Sequence, residues 1–490
     1  MKPLVTALSL LAIIVTVALA GLRVQSAEAT AVGGAVPQTS GCEIESAFNI
    51  WRAAHGQPVY GDSSRVPFAG TYFNWLFYSS YGAIVRAFAA ADDTAQLYRL
   101  ARQLTLLGAL FGTAVFTGLL VRVNRSAGGS RIAFAAAMGV AMFFGVLPGW
   151  WVITARPDIW GLALEAAGLV WFLAWHRRVP PGAVLGAAVF FYLAWSFKQT
   201  FVAGPAAVGL FLVSHRSWRD TVLLVAFMGV AIGLTMFVMG PSYRFGLSET
   251  VAATGFNLSV GRGNAASAAW KLLWLLLALP LVWISRADLF ARENRSLRQD
   301  AFQVGLLGTI SSLAIFVPSA SKVGAATNYY FSPALMLTLA VSAALAVNPP
   351  KERYVLPSAL VLLALPLAVL LGFAGRTHLT DDAAALAQRW AVWKDRPSPR
   401  FSSDLSLNMP QPGDSSPAFI LGFNYEADRA RGRVFEANGI GGLIETGYFA
   451  SLLLPSNTRD SYDGGSLKRY MRSEEVAGFA LYRRVDTRSE

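Results

Sequence analysis

The chain has 490 residues, 54% of them hydrophobic and only 14% charged, with a positive mean hydropathy. Soluble domains carry about 25% charged residues, so this composition excludes an ordinary water-soluble enzyme and indicates a polytopic α-helical membrane protein. The net charge of +12 is no nucleic-acid footprint, because the excess sits largely in short connections between apolar runs, where Lys and Arg set membrane orientation.

Met1 to Ala29 reads as Lys2, an apolar core, then Ser26-Ala27-Glu28-Ala29. It is either a cleaved signal peptide or a retained first span, and the long core from Leu4 to Leu22 favours retention. Both options leave residue 40 outside the membrane. Cys42 is the single cysteine, so no internal disulfide exists. A lipid anchor there is not expected, since Pro37 to Gly41 separates it from the apolar run. His55, His176, His215 and His378 show no metal-ligand spacing. His176 and His215 are expected to be solvated in cytoplasmic loops.

About eleven spans are expected, at 4–22, 103–123, 131–151, 159–175, 182–197, 199–214, 219–240, 269–285, 302–318, 328–347 and 354–373, each near the ~20 residues that cross a bilayer. The organisation is a first helix (1–22), an outer loop with interfacial helices (23–102), a transmembrane domain (103–375) and a charged tail (376–490). From residue 100 onward two kinds of connection alternate. One is basic: Arg122/Arg125/Arg131, Arg177/Arg178, Arg216/Arg219, Arg286/Arg292/Arg295/Arg298, Lys351/Arg353. The other is nearly neutral with isolated polar groups. Basic connections stay cytoplasmic, so the lone charges all fall on the outer side. A charge near a bilayer costs several kcal/mol unless it faces protein or water, which makes a one-sided set a candidate site.

The outer loop opens with Glu43-Ile-Glu45. A helix from about Glu45 to His55 puts Glu45, Asn49 and Arg52 on one face, with Phe48, Trp51 and Ile44 as a membrane-facing stripe. A carboxylate held at the interface can take a proton from an acceptor, or can merely favour the first helical turn. If a base is needed here, Glu45 on that face is preferred and Glu43 would orient it, roles that exchange if the helix begins two residues earlier. The two carboxylates could also hold a divalent cation, although two make a weak donor set. Tyr72 to Ala90 reads as an interfacial helix.

Arg156-Pro157-Asp158 starts the next span after an outer turn, with Asp158 serving its first turn and Arg156 either pairing with it or facing a ligand. Lys198-Gln199-Thr200 joins two spans, where a lysine either snorkels to headgroups or binds an anion. Arg244 and Arg262 bracket a long outer loop at 241–268, whose glycines suit a substrate lid. Lys322, Asn328 and Tyr329 complete the set. Arg156, Lys198, Arg244, Arg262 and Lys322 against few carboxylates suit a phosphate or diphosphate ligand.

Past Gly375 the charges of both signs become equal in number. Pro417 to Gly422, Phe449 to Leu454 and Ala477 to Arg483 read as strands around a helix, giving a small α/β domain. An odd number of spans from an inner N-terminus makes this tail extracytoplasmic.

At these residues the chain resembles the GT-C membrane glycosyltransferases that take sugar from a polyprenyl-phosphate donor, among them protein O-mannosyltransferases and aminoarabinose transferases. The matching features are the acidic pair, the helix bearing Phe48, Ala53, Gly56, Pro58 and Tyr60, the aromatic stretch Tyr72 to Tyr81, and Arg99/Arg102. The Ala-Arg-Pro-Asp, Phe-Lys-Gln-Thr and Asn-Tyr-Tyr turns also match. The resemblance covers 1–375 and departs in having Glu-x-Glu where Asp-Glu is commoner.

It implies an inverting hexosyl- or pentosyltransferase in a bacterial inner membrane. The base would be Glu45 or Glu43, and the donor phosphate would be met by the five cations. Asn49, Arg52, Tyr60, Asp158, Gln199, Asn328 and Tyr329 would bind substrate. The partners would be the lipid-linked donor, membrane lipids and an envelope glycan, lipid or protein acceptor, with no nucleic acid. A transporter or flippase for a lipid-linked glycan is the alternative, although transporters place their binding groups nearer the midplane.

Overall fold

The computed structural model describes residues 1–29, 35–252, 255–290, 296–347, 355–373, 378–411 and 416–485. Arg292, Arg295, Lys351, Arg353 and Gly375 lie outside them. The apolar runs form helices that pack by their small residues and leave lipid-compatible faces outward. In chain order the first are α1 (Lys2–Ala29), α2 (Glu43–Ala54), α3 (Trp75–Ala87), α4 (Thr94–Asn124), α5 (Gly129–Phe144), α6 (Asp158–Trp175), α7 (Pro180–Phe197), α8 (Ala203–Ser214) and α9 (Trp218–Val238). They are followed by α10 (Gly240–Ala252), α11 (Leu258–Lys271), α12 (Leu273–Leu276), α13 (Leu279–Phe290), α14 (Leu297–Ser319), α15 (Phe331–Val347) and α16 (Leu356–Phe373).

Among the described residues seven helical segments are long and apolar enough to cross a membrane: α1, α4, α6, α7, α9, α14 and the stretch Thr327–Ala346 that ends in α15. The α11 to α13 region is a pair bent by 71°, and α5, α8 and α16 are apolar but shorter. Each of the expected apolar runs is therefore helical, but several are not straight full crossings. On α9 the apolar side chains turn outward, with Phe237 81% exposed, as a lipid-facing helix requires.

Two expectations about loops change. The 241–268 segment is helical in α10 and α11, so Arg262 lies on a helix rather than in a glycine-rich lid. Asn257 caps α11 by accepting from Ser259 N at 2.9 Å, a local signal stronger than the glycines that follow it. The 286–301 connection, which hydropathy also reads as a loop, is helical at its start, because α13 continues to Phe290. Ser296 then starts α14 through a capping box with Gln299.

The basic connections gather at one end of the bundle. Arg298 Nε donates to Val123 O (3.2 Å) and Arg131 Nη1 to Leu345 O (3.3 Å). Arg177 donates to Asp300 at 2.6 Å, with the His176 ring 2.7 Å from the same carboxylate. His176 and His215 are not solvated as expected: both rings pack on Phe211 at the ends of α6 and α8.

The lone charges are not all at the opposite end either. Glu165 sits inside α6, wholly buried, accepting from Ser332 Oγ (2.6 Å) and Gly204 N (2.7 Å). It ties α6 to α8 and α15, which is how a carboxylate survives at that depth.

The tail contains α17 (His378–Trp393), α18 (Phe423–Ala430), α19 (Gly439–Glu445) and β1 (Arg400–Ser402), β2 (Ser451–Pro455), β3 (Ser461–Tyr462), β4 (Gly465–Ser466), β5 (Tyr470–Val476) and β6 (Phe479–Arg484). The main sheet has the order β1-β2-β6-β5, with β1 parallel to β2 and the other neighbours antiparallel, pairing Leu453 with Leu481. Two of the expected strands are present as β2 and β6. The expected strand at 417–422 is absent: Leu421 makes only an isolated bridge to Ala69 while Phe419 and Ile420 are buried. That bridge belongs to a larger docking contact. Phe68 of the outer loop inserts among Phe419, Tyr425 and Phe435, with ring centres 5.7–6.0 Å apart. Glu436 accepts from Val66 N at 3.0 Å.

Candidate active site

The site is built at the end opposite the basic connections, beginning with α2. This helix starts at Glu43, two residues earlier than expected, and lies against α3, where Gly82 meets Ala53. A Cβ at Gly82 would come within 2.6 Å of Ala53 Cβ, so the close approach needs glycine there. Ile44 and Phe48 are buried by protein instead of facing lipid.

Glu43 is wholly buried and saturated. Its carboxylate accepts from Arg102 Nε (3.0 Å) and Nη2 (2.9 Å), Ala155 N (2.9 Å), Thr39 N (2.7 Å) and Thr39 Oγ1 (3.1 Å). Glu45 is the opposite case. It is 5% exposed, and its Oε2 has no hydrogen-bond donor among the described residues. Burial lifts its carboxyl to about 7, with Arg156 pulling the other way. The earlier helix start does not exchange the surroundings of the two carboxylates. Arg102, arriving from α4, distinguishes them.

Asp158, at the start of α6, gathers the cations. Its Oδ1 accepts from Lys198 Nζ and Asn328 Nδ2, both at 2.6 Å, and its Oδ2 from Arg156 Nε at 3.1 Å. Arg156 also donates to Gly41 O and stands over the Phe73 and Trp151 rings at 5.3 and 5.4 Å. Lys198 lies 5.5 Å from the Phe73 ring centre and 5.7 Å from that of Tyr329. Burial draws the Lys198 ammonium below its ordinary value, and Asp158 draws it back.

Beside these groups is a cavity of about 250 Å³ lined by Arg156, Lys198, Gln199, Lys322, Asn328 and Tyr329, together with Cys42, Tyr72, Phe73 and Thr200. Gln199 Nε2 donates to Tyr72 O at 3.1 Å, while its Oε1 is buried without a donor among the described residues. Three cations line it, Arg156, Lys198 and Lys322, and Asp158 pairs with the first two. The surplus positive charge, walled by aromatic rings, suits a phosphate.

The other expected site residues stand elsewhere. Arg244 and Arg262 are exposed and do not line this cavity. Asn49 donates to Gly70 O (3.0 Å), Arg52 to Val59 O (3.2 Å) and Tyr60 to Phe73 O (2.9 Å). These three fix the 59–73 segment behind the cavity. Cys42, Phe73 and Trp151 were not among the expected site residues. Cys42, in the left-handed region at φ 61, directly precedes the acidic pair, and burial, then Glu45, raises its thiol to about 12.

Among the described residues no group of three or more His, Cys, Asp or Glu side chains is gathered that could hold a metal ion. Glu43 and Asp158 are bonded to cations, and Glu45 alone offers an open oxygen. That is a sparse donor set for a divalent ion, which wants several oxygens.

No protein-family model matches the sequence, and no curated protein does. Solved structures do. The crystal structure of ArnT from Cupriavidus metallidurans bound to undecaprenyl phosphate aligns with a TM-score of 0.61, over 97% of this chain and 98% of that one, at 15% identity. The chain has the GT-C fold. The apo state of ArnT aligns at 0.55, over 96% and 97% of the two chains and again at 15% identity. An Archaeoglobus fulgidus oligosaccharyltransferase, in complex with Zn and sulfate, aligns at 0.49 over 90% of this chain and 68% of that one, at 13% identity. The GT-C alignment with ArnT spans both the helical bundle and the small C-terminal domain.

Proposed function

We propose that this protein is an integral-membrane glycosyltransferase. It takes a sugar from a polyprenyl-phosphate donor and passes it to an envelope glycan, lipid or protein, on the extracytoplasmic side of a bacterial inner membrane. The observation that carries the reading is the Arg156, Lys198 and Lys322 cavity together with Glu45, whose carboxylate feels the charge of Arg156 and whose Oε2 has no donor among the described residues. The GT-C fold, shared with an ArnT that binds undecaprenyl phosphate, supports the choice of donor. Basic connections at the far end support the sidedness.

In this reading the donor phosphate lies on Arg156, Lys198 and Lys322. Asp158 holds the first two in place without neutralising the set. An acceptor hydroxyl or amine attacks the anomeric carbon from the face opposite the phosphate. The bond from that carbon to the phosphate oxygen breaks, and its electron pair leaves with polyprenyl phosphate. The acceptor proton goes to Glu45, and the anomeric configuration inverts. The cations stabilise the charge growing on the leaving phosphate. Gln199 Oε1 accepts from a sugar hydroxyl, as a buried oxygen lacking a donor calls for.

A transporter would place polar binding groups near the midplane. The buried mid-helix carboxylate, Glu165, is engaged by Ser332 and Gly204, which favours the transferase.

The test uses undecaprenyl phosphate and purified protein in detergent. The ligand should raise the melting temperature of the wild type and of Arg125→Ala, a control at the basic end. It should shift Lys198→Ala much less. Equal shifts in Lys198→Ala and Arg125→Ala would remove the phosphate role.

A further inference from the structure

We infer that Asn264 is a positioning residue for the donor phosphate, clamping the loop that presents Lys322 to the cavity. The inference rests on the glycosyltransferase reading for its function and on geometry alone for the clamp.

Lys322 differs from the other two cations. Arg156 and Lys198 are tied to Asp158. Lys322 belongs to a connection between α14 and the 3-10 turn Thr327–Tyr330, and residues 322–326 of that connection line the cavity. Its neighbours Ala320, Ser321, Val323, Gly324, Ala325 and Ala326 are small, so the segment has little side-chain bulk with which to fix itself. Gly324 turns at φ +81, a conformation that favours glycine and leaves the chain free to adopt others. Ordering such a segment costs backbone entropy at every residue, so something must hold it.

The holder is α11, through a residue in its middle. Asn264 Nδ2 donates to Ala320 O at 2.9 Å and to Ala325 O at 3.0 Å. One amide nitrogen therefore closes both ends of the Lys322 turn, using both of its N–H groups. The residues just before α11 complete the grip: Asn257 N donates to Ser321 O (2.7 Å) and Val323 N to Gly255 O (2.9 Å). Phe256 pairs with Lys322 in an antiparallel bridge, and its ring centre lies 6.0 Å from Lys322 Nζ. Gly261 allows the contact, because a Cβ there would collide with Ser321. Gly261, one of the two glycines flanking Arg262 that were expected to permit a lid, instead brings α11 against this turn. A cation carried on so plain a loop meets a phosphate at a fixed place only while the clamp is closed.

Asn264→Asp is the discriminating variant. It keeps the side-chain shape but has no N–H to give, whereas Asn264→Gln keeps the donors on a longer arm. In the ligand-free full chain, Asn264→Ala and Asn264→Asp should speed hydrogen exchange of the 319–326 amides while exchange in α6 and α7 stays unchanged. In a transfer assay both should raise donor KM about tenfold with little change in kcat, the scale of a lost hydrogen-bond pair. Asn264→Gln should recover part of the loss. Adding Asn264→Ala to Lys322→Ala should raise donor KM no further, as expected when one residue acts through the other.

Unchanged exchange in Asn264→Asp overturns the clamp. Faster exchange with wild-type donor KM overturns the positioning role. Faster exchange in a protein whose wild type transfers nothing from polyprenyl-phosphate donors keeps the clamp and removes the glycosyltransferase reading.

Discussion

Two glutamates two residues apart have opposite surroundings, and that difference sets the chemistry open to each. Glu43 is committed to Arg102, Ala155 and Thr39. Breaking one half of a buried pair costs about 3–5 kcal/mol, because the remaining charge is stranded. Glu43→Gln should therefore lower the melting temperature and folded yield more than Glu45→Gln does. In folded protein it should spare most turnover. Glu45→Gln should fold, bind donor nearly normally and lose about 10²–10⁴-fold in turnover, the usual contribution of a general base. If both variants keep full turnover, the base lies elsewhere.

Burial raises Glu45 from 4.5 to about 7, and the base works only when ionised. Wild-type turnover should climb with pH up to about 7 and level off above it. Stability runs the other way. A raised carboxyl favours its protonated form in the folded state. That contribution is complete below 4.5 and is lost as pH rises through about 7. The fall should be smaller in Glu45→Gln, as melting curves across this range would record.

At the scale of elements, the site depends on how closely α2 sits on α3. Gly82→Val would force side-chain carbons into the space held by Ala53. Overpacking of this kind costs about 1–3 kcal/mol, and it should lower turnover by shifting Glu45. Retention of wild-type melting and turnover would show that the approach is not needed. Hydropathy made the apolar helices and the acidic helix legible, because period and length survive in any context. What it missed depends on partners distant in sequence. Nothing near Glu43 says that Arg102, 59 residues away, will saturate it. Nothing near Arg52 says that it will hold Val59 O instead of a ligand. Polar spacing likewise concealed α10 and α11, whose short apolar content reads as loop. Lys198, Gln199, Asn328 and Tyr329 lie at helix ends, where sequence alone can place isolated polar groups, and they line the cavity.

For the whole molecule, the acidic helix, the cation cavity and the C-terminal domain share one end, and the basic connections share the other. Phe68 and the 62–69 segment join the outer loop to the C-terminal domain, so the two should report the same side of the membrane. A reporter fused to the C-terminus should be active only outside the cytoplasm. A cytoplasmic signal would invert the proposed sidedness. The central claim, transfer of a sugar from a polyprenyl phosphate, is met most directly by incubating purified wild type with a panel of labelled polyprenyl-phosphate sugars and an envelope acceptor extract. The expected result is label moving to the acceptor fraction with equimolar release of polyprenyl phosphate, lost in Glu45→Gln. Folded protein that binds undecaprenyl phosphate yet releases none from any donor in the panel would contradict it.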